Sequence, residues 1–408
     1  MIPENGRKTR AAFRALLSIA AWLFISGSAQ AFFDDKLKLQ MSENLNYDSN
    51  VFRISGNVNP ATFIGSTDKS DVIRITKLSL DLNLSVSRQN FDIGYSLNQT
   101  RYTRFVDQDF DGHDGHANWL WQLGNRLNGQ IGFNQSLALG SFANLQARVA
   151  NPVQTTQALA NATYTGVRWH VEAGVTQTRQ SNGNPALRVT DFDTTDPELS
   201  LVYVSPSNNS AGISLQLEDG RYPNRDLISN NLLDSDYLQH SYGALFSWQL
   251  TGHSLLSGHV DRISKDYRDV PQQNFDGTTY VVNYSWTPTG HLIWSASYQR
   301  QLSAILSLTS NFALTKGISS QLAWTPTSKL KAGANFNFTT QDYLQQGLQP
   351  DASPQRTDIT RSAGFDLSYA PLQDLAISFN FVHENRTSSI LTGDYLDNLS
   401  TVNVQLSF

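Results

Sequence analysis

Cysteine is absent from the 408 residues, so disulfide bonds and thiol chemistry are excluded. Long apolar stretches are missing too: beyond residue 31 no segment reaches the run of about 18 apolar residues that a transmembrane helix needs. Charged residues make up only 16% of the chain, and the net charge is −5. This acidic balance argues against a nucleic-acid partner, which would need a basic surface.

The first 31 residues have the features of a secretory signal peptide. Basic residues between Arg7 and Arg14 precede an apolar stretch, and Ala29-Gln30-Ala31 fits the small-residue cleavage rule. An uncleaved anchor is the alternative, but the apolar stretch is short for a bilayer. We therefore predict a signal peptide over 1–31 and one domain over 32–408. Cleavage would leave a net charge of about −8.

What the sequence does contain is alternation of apolar and polar residues. From Leu78 to Val86 every even position is apolar and every odd position is polar, and residues 402–408 alternate in the same way. Successive side chains of a strand point to opposite faces, and a strand of a membrane barrel meets lipid on one face and water on the other. A soluble β-sandwich also alternates, but its strands are shorter and its turns more even.

The connections between these segments are alternately short and long. Outer-membrane barrels have short periplasmic turns and long external loops. Eight turns and nine loops predict an all-β fold, a transmembrane antiparallel up-and-down β-barrel of 18 strands in the bacterial outer membrane, with 16 as the alternative because the first strand is the weakest. The predicted turns are 87–90, 124–129, 165–166, 205–209, 251–253, 287–290, 325–328 and 370–374. The predicted loops are 54–71, 105–113, 140–154, 180–194, 220–238, 265–274, 303–311, 342–358 and 386–396.

Aromatic residues collect near the predicted periplasmic strand ends. Such a girdle sits at the lipid headgroups of membrane barrels. The last residue, Phe408, closes an alternating strand and resembles the carboxyl-terminal signal read by the barrel-assembly machinery. That machinery, membrane lipid and lipopolysaccharide are the partners this implies. The girdle consists of Phe91, Trp169, Trp248, Trp286, Trp324, Tyr369 and Phe408.

The strand positions that alternate with the lipid-facing ones are mostly polar, and we assign them to the barrel interior. A barrel of 16 to 18 strands is wide enough for an aqueous channel. Mixed charges, amides and hydroxyls favour a hydrated, weakly binding route for a polysaccharide or oligosaccharide. The alternative is that these polar residues only keep the lumen hydrated and that the lumen has no preferred solute. We expect a salt network of Arg168, His170 and Glu172, and a constriction formed by loop 140–154. The predicted pore-lining residues are Asp81, Asp92, Arg168, His170, Glu172, Glu218, His259, Asp261, Asn283, Lys331, Asn335 and Asp366.

No catalytic motif is present. The eight histidines do not have the spacing of a known nucleophile motif or metal-binding motif. We therefore expect that the protein is not an enzyme and has no catalytic residue, cofactor or metal. Residues 107–112, in a predicted external loop with His113 and His116, resemble the first half of a calcium-binding loop, but the twelfth position is Asn118 rather than glutamate. A plain acidic loop is favoured over a divalent-cation site.

The segment Tyr47-Asp48-Ser49-Asn50-Val51-Phe52-Arg53 is distinctive. With the signal peptide, the length and Phe408, it resembles EpsL-type outer-membrane proteins, encoded with exopolysaccharide biosynthesis and exosortase systems, within a broader group of β-barrel porins. The resemblance spans nearly all of the mature chain and implies a passive role in polysaccharide secretion, without catalytic residues. We also expect Asn50 and Arg53 to close the first external turn. The alternatives are an oligosaccharide or general porin for uptake, and a non-conducting barrel that displays its loops for adhesion or assembly.

Overall fold

The computed structural model describes residues 36–225, 236–268, 271, 274–304, 310–346 and 356–408. The predicted signal peptide lies outside these residues. In the described ranges, no helix has both the length and the apolar character needed to cross a membrane.

Eighteen strands make up most of the described chain. The first nine are β1 (Leu37–Asp48), β2 (Asp71–Val86), β3 (Gln89–Tyr102), β4 (Phe110–Leu123), β5 (Leu127–Leu139), β6 (Pro152–Thr165), β7 (Trp169–Asn182), β8 (Phe192–Val204) and β9 (Ser210–Arg221). The others are β10 (Asp236–Thr251), β11 (Ser254–Tyr267), β12 (Phe275–Thr289), β13 (Leu292–Ala304), β14 (Ser310–Trp324), β15 (Leu330–Gln346), β16 (Thr357–Tyr369), β17 (Leu375–Ser388) and β18 (Tyr395–Ser407). Two short helices, α1 (Pro60–Ile64) and α2 (Phe142–Leu145), lie in long loops.

The sheet closes on itself. Each strand pairs antiparallel with the next, and β1 also pairs antiparallel with β18, where Gln40 lies opposite Ser407. A closed sheet has no edge with unpaired backbone groups, which is the condition for crossing a membrane with strands. The predicted barrel of 18 strands is confirmed, and the alternative of 16 is wrong. Each strand begins within about four residues of its predicted start.

The alternation divides the barrel into two faces. In β2, Leu80 lies opposite Leu39 and Tyr95, whereas Asp81 lies opposite Lys38 and Gly94. Apolar side chains of the outer face remain open, with 45% of Ile93 and 48% of Phe365 exposed. Leaving so many apolar side chains in water would cost roughly 25 cal/mol per Å². The outer face therefore belongs in lipid.

Exposed aromatic rings mark the barrel end that carries the short turns. Trp169 begins β7, and Trp324 ends β14. Each leaves about half of its surface exposed, 53% and 49%. Phe91 instead stacks on Trp119, with 6.0 Å between ring centroids. By the rule that periplasmic turns are short, this is the periplasmic end, and the long loops lie at the external end.

Candidate functional site

The interior face of the strands is identified by the loop residues that pack against it. Loop residues at the external end pack against Ile73 and Tyr102, which lie on the same strand faces as Asp81 and Asp92. The strand register places eleven of the twelve predicted pore-lining residues on this interior face. Their role in lining a conducting pore stays a prediction. The eleven are Asp81, Asp92, His170, Glu172, Glu218, His259, Asp261, Asn283, Lys331, Asn335 and Asp366.

Arg168 is the exception. It lies in the turn between β6 and β7, because β7 begins only at Trp169, and its carbonyl oxygen accepts a hydrogen bond from the Val204 amide at 2.7 Å. The predicted salt network of Arg168, His170 and Glu172 is wrong: within the described chain no ion pair joins these three residues. Glu172 instead accepts a hydrogen bond from the Asn161 side chain at 3.3 Å.

A polar recess lies in the interior wall formed by the first four strands. Its volume is about 320 Å³, and its lining includes Lys77, Asp81, Asp114 and His116. Gly94 makes the recess possible, because a Cβ atom there would lie 2.2 Å from the His116 ring. The Asp114 carboxylate accepts hydrogen bonds from Asn98 at 2.6 Å and from Ser96 at 3.3 Å, and His116 Nε2 lies 3.3 Å from the Asp92 carboxylate.

The prediction that His113 and His116 lie in an external loop is wrong. Both belong to β4, which begins at Phe110 rather than near 114. His116 faces the interior, whereas His113 is on the outer face, where its ring stacks on Tyr95 with 5.9 Å between centroids. Counting parity back from the strand centre would have placed Asp114 and His116 in the recess.

A second wall, from β7 to β11, is rich in carboxylates. Glu172, Glu218 and Asp261 were predicted there, and the register adds Asp196 and Glu198 on β8. Lys265 on β11 is a cation of this wall: it is 6% exposed, and its Nζ lies 3.8 Å from the Glu218 carboxylate. Next to Asp261, His259 Nε2 lies 3.5 Å from its carboxylate. Because carboxylates outnumber cations among the described residues of this wall, we expect it to present negative charge to the lumen.

The seven-residue segment from Tyr47 to Arg53 ends β1 and turns the chain inward. The backbone amide of Arg53 donates to the Asn50 carbonyl at 2.8 Å, which confirms the predicted closure of the first external turn, and Arg53 adopts a positive φ of 55°. The Arg53 guanidinium lies 2.9 Å from the Asp48 carboxylate and 3.0 Å from that of Asp397. Asn50 donates to the carbonyls of Ile54 and Leu396, both at 3.0 Å. We call Asp48, Asn50, Arg53 and Asp397 the mouth latch.

Behind the mouth latch an apolar cluster lies at the external end of the barrel. Phe52 is fully buried, with the rings of Phe105 and Phe142 each 4.8 Å away. Loop 140–154, the predicted constriction, supplies Phe142 and a hydrogen bond of 2.7 Å from Gln146 to the Arg53 carbonyl. Loop 49–70 supplies most of the cluster. This external hub consists of Val51, Phe52, Ile54, Ile64, Ile73, Tyr102 and Phe105.

The acidic residues from 107 to 112 are ion-pair partners. Asp107 accepts a hydrogen bond from Arg148 at 2.9 Å, and these contacts hold the pKa of Asp107 below its ordinary value. Arg101 lies 2.6 Å from Asp111 and 3.8 Å from Asp109. The carboxylates therefore join loops and strands instead of converging on one point. In the described residues no group of three or more potential ligands could hold a metal ion.

No family model matches the chain, and no curated protein matches it. Similar solved structures include the outer membrane protein OpdK from Pseudomonas aeruginosa, with 11% identity and a TM-score of 0.48, covering 92% of this chain and all of that one. OpdL of the same organism has 12% identity and a TM-score of 0.47, covering 91% and 99%. OccAB4 from Acinetobacter baumannii has 10% identity and a TM-score of 0.47, covering 91% and 98%.

The class of protein follows from this chain's own strand pairing and surface. A closed barrel of 18 antiparallel strands, with an apolar outer face, an aromatic girdle and a polar interior, is a β-barrel of the bacterial outer membrane.

Proposed function

We propose that the protein is a passive conduit for hydrophilic solutes, and that its solute is an extracellular polysaccharide leaving the cell. The observation that carries the proposal is the composition of the interior face. Short amide and hydroxyl side chains lie on this face near the middle of the strands, for example those of Asn283 on β12, Ser297 on β13 and Asn335 on β15. Such groups exchange hydrogen bonds with water and with sugar hydroxyls at little net cost. A polymer can then slide without stalling at one strong site.

The charge of the interior further limits the class of solute that suits this lumen. On the interior faces of the described strands, carboxylates outnumber ammonium and guanidinium groups, most clearly where Asp196, Glu198 and Asp261 lie on one wall. Like charges repel across a confined space. A neutral or cationic saccharide therefore suits this lumen better than an acidic one.

The direction of transport rests on the resemblance to EpsL-type proteins. Their association with exopolysaccharide systems supports export. An uptake porin is the second candidate, and the observation in its favour is the recess at Asp81, Asp114 and His116, which has the size and polarity for weak binding of a small solute.

Deletion of the gene tests export against uptake. We expect secreted polysaccharide to disappear while uptake of small solutes stays nearly unchanged, with complementation restoring secretion. Normal secretion together with slowed growth on oligosaccharides would overturn the export proposal and favour the uptake porin.

A narrowed lumen gives a sharper version of the test. Asn283→Trp with Asn335→Trp places two bulky rings on the interior face. The matched control, Val282→Trp with Phe336→Trp, changes the adjacent positions on the lipid face. We expect the interior pair to reduce export at unchanged barrel abundance and the exterior pair to leave it intact. Equal export in both variants would contradict a route through the lumen.

A further inference from the structure

An apolar groove runs along the outer face of β4 to β7. Its volume is about 670 Å³. Two tryptophans form one side, and alanines on β6 and β7 leave the space that larger side chains would fill. Gly129 lets one of the tryptophans lie close to the sheet, because a Cβ atom there would be 2.5 Å from the Trp121 ring. The main lining residues are Trp119, Trp121, Ile131, Ala160, Ala162 and Ala173.

Three arginines lie at the periplasmic end of this sector. Arg88, Arg126 and Arg168 belong to three consecutive short turns. The other five short turns carry no arginine, and their basic residues are Lys329 and histidines. All the arginines of the short turns, which the structure describes in full, thus lie beside the groove.

Side-chain hydrogen bonds position two of these arginines, Arg88 and Arg126. The Arg88 guanidinium donates to the Gly124 carbonyl and, at 2.8 Å, to the Asn125 side chain. Arg126 reaches the Tyr164 hydroxyl at 3.4 Å, and Tyr164 is on the outer face with 46% of its surface exposed. At least this guanidinium therefore lies at the lipid-facing surface. We call Arg88, Arg126 and Arg168 the arginine arc.

We propose that the groove and the arginine arc bind one anionic glycerophospholipid of the periplasmic leaflet. An acyl chain occupies the apolar groove, and the phosphate lies at the arc, because guanidinium groups pair with phosphate oxygens through two parallel hydrogen bonds. Trp119, whose indole nitrogen donates to Gln89 at 2.9 Å, marks the headgroup level between the two. A second copy of the chain is a poorer occupant, because a symmetric contact there would bring two arginine arcs together.

Native mass spectrometry of lipid retained by the purified barrel tests the proposal. The barrel is reconstituted with phosphatidylethanolamine and phosphatidylglycerol, then stripped with detergent. We expect one phosphatidylglycerol to be retained in preference to phosphatidylethanolamine. The triple variant Arg88→Gln, Arg126→Gln and Arg168→Gln should remove that preference. Each cation near a membrane surface raises the affinity for an anionic lipid roughly fivefold. The control Lys329→Gln, in another periplasmic turn, should keep it.

A second variant pair tests the groove itself. Ala173→Trp fills the groove, whereas Ala244→Trp adds the same ring to an exposed alanine of the outer face on β10. We expect only Ala173→Trp to lose the retained lipid, with both barrels folded by heat-modifiable migration in gels. Equal retention of the two lipids by the wild type, or unchanged retention in the triple arginine variant, would overturn the proposal. A dimer mass in place of retained lipid would overturn it too and assign the groove to a second copy.

Discussion

The mouth latch offers the most quantitative prediction. Arg53→Gln removes the cation that lies between two carboxylates, Asp48 and Asp397, which are only 6% and 2% exposed. Removing one partner of a buried ion pair typically costs about 3–5 kcal/mol, because the other charge stays buried without compensation. If the cost is about 3 kcal/mol, the equilibrium between the latched and the released form of loop 49–70 shifts roughly a hundredfold toward the released form.

Hydrogen–deuterium exchange over loop 49–70 measures this shift. We expect exchange to accelerate about a hundredfold in Arg53→Gln, and the current through single channels in planar bilayers to become larger or more often fully open. The matched control is Arg179→Gln. Its partner Asp193 lies 2.6 Å away, but 66% of the arginine side chain is exposed. Exposed pairs are worth about 0–1 kcal/mol, so the control should change exchange little.

Equal exchange rates in Arg53→Gln and Arg179→Gln would show that the mouth latch does not hold the loop. A cycle with Asp397→Asn adds a further check. If Arg53 and Asp397 act through the same contact, their combined effect should be smaller than the sum of the two separate effects.

Two further predictions concern the register and the amino terminus. Phe379→Arg puts a charge on the lipid face and should cost about 2–4 kcal/mol of barrel stability, whereas Asn380→Arg on the interior face should be tolerated; equal damage in urea unfolding from lipid bilayers would contradict the register. Cleavage after Ala31 should give a mature chain beginning at Phe32 in amino-terminal sequencing of outer-membrane material, and retention of Met1 would contradict a cleaved signal peptide.

The barrel could be predicted because its determinants are local and repeated. The period-two alternation, as from Leu78 to Val86, identifies a strand and its two faces at once, and the succession of short and long connections gives the strand count. Errors occurred where the alternation gives no signal. The start of β4, from Phe110 to Gly112, has the composition of an acidic loop, and for that reason the sequence predicts the wrong place for His113 and His116.

The external hub could not be predicted for a different reason. Phe52, Ile54 and Ile64 lie in a long polar loop, and nothing local indicates that they fold back onto Ile73 and Tyr102. Ile73 itself breaks the alternation by placing an apolar side chain on the polar face. Ile75 lies on the same face and also packs against the external hub, so the two isoleucines together are a sequence signal that something apolar covers the end of β2. Its partners depend on contacts between loops far apart in the chain, such as Phe52 with Phe142.

The conductance of the barrel and its reversal potential in a KCl gradient report whether the lumen is hydrated and which sign of charge lines it. We expect stable ohmic channels in planar bilayers, with a reversal potential of the sign that a preference for cations gives. That preference should weaken in Glu198→Gln with Asp261→Asn, which removes two interior carboxylates. Conduction with anion preference would contradict the assigned interior charge. A folded barrel that carries no current at all would contradict the conduit and leave a barrel that only displays its loops.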